Sequence, residues 1–81
     1  MDYSRRLVTH PEPVDMVTLM PTRFGTATAV MYGGDVVTVP VAVVSRAPAP
    51  PAAAAWVCVR QQLGPEQVWL AWVPADRVRA R

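Results

Sequence analysis

Proline and glycine interrupt this sequence so often that no long helix fits between them. Nine prolines and four glycines divide the 81 residues into short runs, and a proline inside a helix costs about 3 kcal/mol. The runs are rich in valine, whose β-branched side chain suits a pleated sheet better than a helix. Together the breaks and the valines predict an all-β fold made of short strands.

The chain has the length of one small domain. We expect an irregular N-terminal arm over residues 1–13, because Pro11-Glu12-Pro13 excludes both regular helix and a central strand. Residues 14–81 are then expected to form a single β domain.

The pattern of apolar runs and turn residues places five or six strands in that domain. The predicted strands cover residues 14–20, 26–32, 36–44, 56–61 and 67–73, with a last short strand at 77–81. The predicted connections are a turn at 21–25, a glycine hairpin at Tyr32–Asp35, a mobile Ala/Pro-rich loop at 45–55, a turn at 63–66 and a short helical turn at 74–78. Pro40 cannot donate a ladder hydrogen bond, so it predicts an edge, a bulge or a bend in its strand.

Three short motifs resemble the SH3-like small β-barrels. Gly34-Asp35-Val36-Val37-Thr38-Val39 is similar to their glycine-aspartate turn and central strand, and Trp56-Val57-Cys58-Val59-Arg60 to the tryptophan-led strand after the variable loop. Trp72-Val73-Pro74-Ala75-Asp76-Arg77-Val78 resembles the terminal strand, short helical turn and closing apolar residue. The motifs cover roughly half of the chain. The resemblance implies a five- to six-stranded SH3-like barrel, which also suits this length better than a sandwich.

The sequence departs from that family at the ligand groove. The resemblance places Trp56 and Pro74 at two groove positions, but Asp76 or Arg77 stands where the family has an aromatic residue. The family's tyrosine-rich opening motif and its acidic loop are also missing. A groove for proline-rich peptides needs aromatic walls, so the resemblance implies the barrel and not that activity.

No residue pattern points to catalysis, a metal site or a cofactor. His10 and Cys58 are the only soft metal ligands, whereas structural zinc takes about four. They could act as a nucleophile and base only if the fold brought them together, and the simpler interpretation of Cys58 is a small buried strand residue. The carboxylates are scattered, and no glycine-rich phosphate loop is present. We therefore expect a non-enzyme without a cofactor, a metal or a small-molecule substrate.

Two tryptophans in the fifth predicted strand bear on binding. Trp69 and Trp72 are three residues apart, so a straight strand directs them to opposite faces. We expect Trp72 to point inward with Val68 and Leu70, and Trp69 to point outward. An exposed tryptophan often marks a contact surface, while a cover formed by the N-terminal arm or the Ala/Pro loop is the equal alternative.

The leading hypothesis for function is a non-catalytic interaction module or small accessory subunit. It would bind a protein partner, or form a homo-oligomer, through an apolar patch containing Trp56, Trp69 and Pro74. The Pro48-Ala49-Pro50-Pro51 stretch also matches the PxxP pattern of ligands for aromatic grooves. That loop therefore has two open interpretations, a ligand motif or a linker.

The alternative hypothesis is nucleic-acid binding. All eight basic residues are arginine and the net charge is +2; the absence of lysine, asparagine and isoleucine indicates a GC-rich genome of a bacterium or phage. Five of the arginines lie near the ends of the chain: Arg5, Arg6, Arg77, Arg79 and Arg81. Termini often meet in small domains, and a basic patch formed in this way would attract nucleic acid. The competing interpretation, which we place first, is a solvated face that only keeps the domain soluble.

Neither membrane insertion nor export is indicated. The most apolar stretch is shorter than the roughly 20 residues of a membrane span, and the first residues lack the apolar core of a signal peptide. Cys58 is the only cysteine, so the fold does not depend on an internal disulfide. We expect a cytoplasmic protein with no membrane partner.

Overall fold

The fold is all-β, as the sequence predicts. The computed structural model describes residues 4–10, 16–47 and 55–80. In these ranges the chain forms five strands and one 3-10 turn, and no α-helix. The elements are β1 (Val17–Val30), β2 (Val36–Ala47), β3 (Trp56–Gly64), β4 (Gln67–Pro74), the 3-10 turn (Ala75–Arg77) and β5 (Val78–Ala80).

The five strands form one antiparallel sheet in the order β4-β3-β2-β1-β5. The first four strands follow one another as neighbours, and the 3-10 turn then carries the chain to β5, which pairs with β1. Among the described residues no strand pairing joins β4 to β5, so strand pairing alone does not close the sheet.

The turn predicted at 21–25 is wrong, because β1 continues through it as one strand of 14 residues. Pairing with β2 is regular up to Thr18 opposite Ser45, and resumes at Arg23 opposite Val43. The extra residues between Thr18 and Arg23 form a bulge, which is where a proline can sit within a sheet. Gly25 belongs to the ladder and allows close approach, since a Cβ there would lie 2.2 Å from the Arg79 carbonyl oxygen.

The glycine hairpin is confirmed. Gly34 has a φ of +99°, and the Met31 N–H donates to the Asp35 carbonyl at 2.8 Å. Pro40 lies in the part of β2 that precedes its pairing with β3, which begins at Ala42. The missing proline N–H therefore falls where the strand has one ladder neighbour, as expected for an edge.

The Ala/Pro-rich loop is shorter than predicted. Residues 45–47 belong to β2 and pair with β3, so the predicted loop boundary is wrong there, and residues 48–54 lie outside the described residues. Strand β3 extends to Gly64, and the following turn contains Pro65 and Glu66. The fifth predicted strand, the short helical turn and the last short strand are all present.

The main core lies on one face of the sheet, which we call the inner face. Its fully buried members come from every strand except β5 and from the N-terminal arm: Leu7, Ala27, Val41, Val59, Ala71 and Val73. The opposite, outer face carries a second and smaller buried cluster at one end, formed by Ala47, Cys58 and Trp72.

The described part of the N-terminal arm, residues 4–10, is irregular but firmly placed. Leu7 forms an isolated bridge with Met31 and its side chain is fully buried. The Val8 N–H donates to the Val30 carbonyl in β1, and the His10 N–H donates to the Trp72 carbonyl in β4, both at 3.0 Å. The arm therefore bridges β1 and β4, which do not pair with each other.

Candidate functional site

Trp56 and Pro74 lie side by side on the outer face. They are register partners at the ends of β3 and β4, and both are half-buried. The Trp56 ring packs against the small outer cluster, and its centroid is 4.6 Å from that of the His10 ring, with the planes tilted by 53°. Two of the three predicted contact residues are thus brought together.

Trp69 lies on the other face, so it does not share a surface with Trp56. Its indole Nε1–H donates to the Leu7 carbonyl at 2.8 Å, and the Arg6 guanidinium carbon lies 5.0 Å from the ring centroid. The Tyr32 ring meets it edge-on at 6.2 Å between centroids. The prediction that Trp69 points outward is wrong, and the alternative that the arm covers it is confirmed.

The prediction of which face of β4 points into the main core is wrong. Trp69, Ala71 and Val73 face the main core, whereas Val68 and Leu70 are each 53% exposed on the outer face. Trp72 is buried, as predicted, but in the outer cluster. Apolar residues lie on both faces of β4. The alternation therefore shows which residues share a face, but not which face is buried.

Gln61 is a buried residue that holds the N-terminal arm, and the sequence analysis missed it. It is only 5% exposed and is the register partner of Trp69. Its side-chain oxygen accepts from the Leu7 N–H at 3.0 Å, and its side-chain nitrogen donates to the Arg5 carbonyl at 2.9 Å. The signal was present, because Gln61 continues the inward alternation of Val57 and Val59.

The terminal arginines line different grooves. Arg5 and Arg6 line a wide groove of about 770 Å³ together with Gln61, whereas Arg77 lines a groove of about 250 Å³ with His10. Arg79 projects from β5 opposite Thr26, and Arg81 lies outside the described residues. Among the described residues, Arg5 and Arg6 therefore line a different groove from Arg77.

A row of four register partners crosses the outer face and has an exposed apolar side chain at each end. We call Phe24, Ala42, Arg60 and Leu70, from β1, β2, β3 and β4, the outer row. Phe24 is 58% exposed and Ala42 only 4%. The small Ala42 side chain thus lies low between two long ones, and a groove of about 190 Å³ opens there.

The groove has walls of different chemistry. Pro40 and Ala42 in β2 form its floor, Phe24 lies on one side, and Arg60 and Gln62 lie on the other. Two further apolar side chains are exposed near Leu70: Met16, which lines a neighbouring groove with it, and Val68, two residues away on the same face. Contiguous exposed apolar surface of this kind marks interaction sites in soluble proteins.

Charge on the strands is entirely positive. Arg23, Arg46, Arg60 and Arg79 lie in β1, β2, β3 and β5, and no strand contains an aspartate or glutamate. The carboxylates of the described residues lie in the connections instead: Asp35, Glu66 and Asp76. Register places two of these arginines, Arg60 and Arg79, on the outer face, where they attract anionic groups.

His10 and Cys58 line one groove of about 420 Å³ on the outer face. Cys58 is 6% exposed, and the His10 ring lies against Trp56. No group of three or more histidine, cysteine, aspartate or glutamate side chains in the described ranges could hold a metal ion. No helix in the same ranges is long and apolar enough to cross a membrane.

Comparison of the chain with known protein families, curated proteins and solved structures finds no match.

Proposed function

We propose that this chain is an SH3-like barrel that works as a non-catalytic interaction module. The return of the last strand to the first, the 3-10 turn that precedes β5 and the arm between β1 and β4 support the barrel. The inner face holds the main core, and the outer face presents exposed side chains that can make contacts. A fold of this kind carries no activity by itself, so the function rests on the surface.

The docking surface of the module is the outer row with its groove. The observation that carries this proposal is the exposure of Phe24 and Leu70 at the two ends of a row in which the small, buried Ala42 leaves a groove. Burial of the exposed half of each of these side chains by a partner contributes roughly 1 kcal/mol, and aromatic residues in pockets dominate many interfaces. Trp56 and Pro74 extend the same outer face toward its buried cluster.

The partner is a protein segment or a second copy of this chain, and two measurements separate these. A random peptide library panned on the wild-type protein tests the segment. We expect the enriched peptides to lose binding to Phe24→Ser and to Leu70→Ser. Val36→Ser is the matched control, since Val36 is 70% exposed but lies outside the outer row. Enriched peptides that bind all three variants equally would remove the outer row from the proposal.

Light scattering over a range of concentrations tests self-association. A mass that rises with concentration in the wild type and stays monomeric in Phe24→Ser makes the partner a second copy. A constant monomer mass restricts the proposal to other proteins.

Nucleic acid is the second candidate, and the all-positive strands favour it. Fluorescence anisotropy with labelled single- and double-stranded DNA and RNA, at low and moderate salt, tests it. Binding that falls steeply with salt and is lost when Arg77, Arg79 and Arg81 are replaced by alanine would put this function first. No binding at low salt leaves the protein partner as the function.

A further inference from the structure

We infer that the segment bound on the outer row is acidic, with an apolar anchor for the groove and carboxylates for Arg60 and Arg79. This inference rests on the proposed docking function and names the chemistry of the partner. It follows from how charge is arranged around the groove, and the register of the sheet fixes that arrangement.

Arg60 forms part of the groove wall. It is exposed in β3, and its register partners are Ala42 on one side and Leu70 on the other. Its exposed guanidinium is open to a carboxylate, which an arginine can bind through two parallel hydrogen bonds. Gln62 lines the same wall and adds a neutral donor and acceptor.

Arg79 lies beyond the opposite wall. It is the register partner of Thr26 in β1, which in turn pairs with Pro40 on the groove floor. Three strand spacings separate the backbones of β5 and β3, which is about 14 Å. An extended segment spans this distance in about four residues, so one apolar anchor in the groove has room for a carboxylate on each side.

The apolar floor favours a peptide over a nucleic acid. Pro40 and Ala42 separate the two cations, while a phosphate backbone brings a charge at every nucleotide and is best matched by a continuous basic track. A second copy of the chain that docks through its sheet is a poor occupant, because it brings no carboxylate to Arg60 or Arg79. Its own strands also carry arginine and no carboxylate.

The test uses fluorescence anisotropy with three labelled peptides. Each has two central leucines, flanked on both sides by two glutamates, two glutamines or two lysines. We expect the glutamate peptide to bind the wild-type protein about tenfold more tightly than the glutamine peptide, and this preference to shrink as salt is raised.

Charge reversal makes the test specific. Arg60→Glu should abolish the preference for the glutamate peptide and create one for the lysine peptide. Arg46→Glu changes the net charge equally but lies outside the groove lining, and should leave the preference intact. Circular dichroism and thermal unfolding of both variants confirm that each is folded.

The remaining outcomes separate the proposal of a docking surface on the outer row from the proposal of an acidic partner. Equal binding of the glutamate and glutamine peptides, lost in Phe24→Ser, overturns the acidic partner and leaves the docking surface standing. Failure of all three peptides to bind overturns both. Displacement of the glutamate peptide by a 12-nucleotide single-stranded RNA, dependent on Arg60, would assign the groove to nucleic acid instead.

Discussion

Gln61 and Trp69 face each other across β3 and β4 and hold the backbone of the same residue, Leu7. The Gln61 side-chain oxygen accepts from the Leu7 N–H, and the Trp69 indole N–H donates to the Leu7 carbonyl. Both polar groups of a fully buried residue are thus satisfied by side chains from one hairpin. The N-terminal arm is therefore an integral part of the fold.

Removing either side-chain partner should loosen the arm. Trp69→Phe keeps a ring in the core but leaves the Leu7 carbonyl without its donor, which costs roughly 1–3 kcal/mol. Gln61→Met should cost at least as much, because Gln61 also donates to the Arg5 carbonyl. Chemical denaturation measures both, and hydrogen exchange at the Leu7 amide shows whether the arm opens first. An unchanged midpoint in both variants would mean that the arm does not contribute to stability.

Leu7 itself should anchor the arm in the core. Leu7→Ala removes a fully buried side chain, and such substitutions cost about 2–5 kcal/mol. Leu70→Ala removes the same atoms from a side chain that is 53% exposed and should change the unfolding free energy by less than about 1 kcal/mol. Equal losses in the two variants would contradict the assignment of inner and outer faces.

Gly25 should be intolerant of any side chain. A Cβ at this position would meet the Arg79 carbonyl oxygen at 2.2 Å, so Gly25→Ala forces β5 away from β1 and should cost about 1–3 kcal/mol. Gly64→Ala is the matched control, because its Cβ would meet nothing closer than a flexible side-chain atom at 3.9 Å. Thermal unfolding compares the two. Equal stability of both variants would show that β5 does not dock closely on β1.

Elements that depend only on neighbouring residues could be predicted from the sequence. The hairpin at Gly34 needs a positive φ, and the chain shows it. The 3-10 turn and β5 follow from the proline and polar residues after β4. The bulge in β1 was taken for a turn because Pro21 and Gly25 are turn residues, and only the pairing with β2 reveals that the strand continues.

The candidate site depended on long-range contacts that no local pattern contains. The alternation correctly placed Trp69 and Trp72 on opposite faces. Which face is covered is decided by the arm, where Leu7 contacts Trp69 across 62 residues of sequence. The outer row likewise depends on how the strands are aligned with one another. Phe24 and Leu70 come onto one row only because four strands align.

The most direct test of the central claim, that the outer row is the docking surface, is an NMR titration. The isotope-labelled protein is titrated with a peptide selected from the library, and the amide shifts are followed. The account predicts the largest shifts along Phe24, Ala42, Arg60 and Leu70, with little change at Trp69 and Gln61 on the inner face. Shifts concentrated at Trp69 and the arm, with the outer row unmoved, would contradict it.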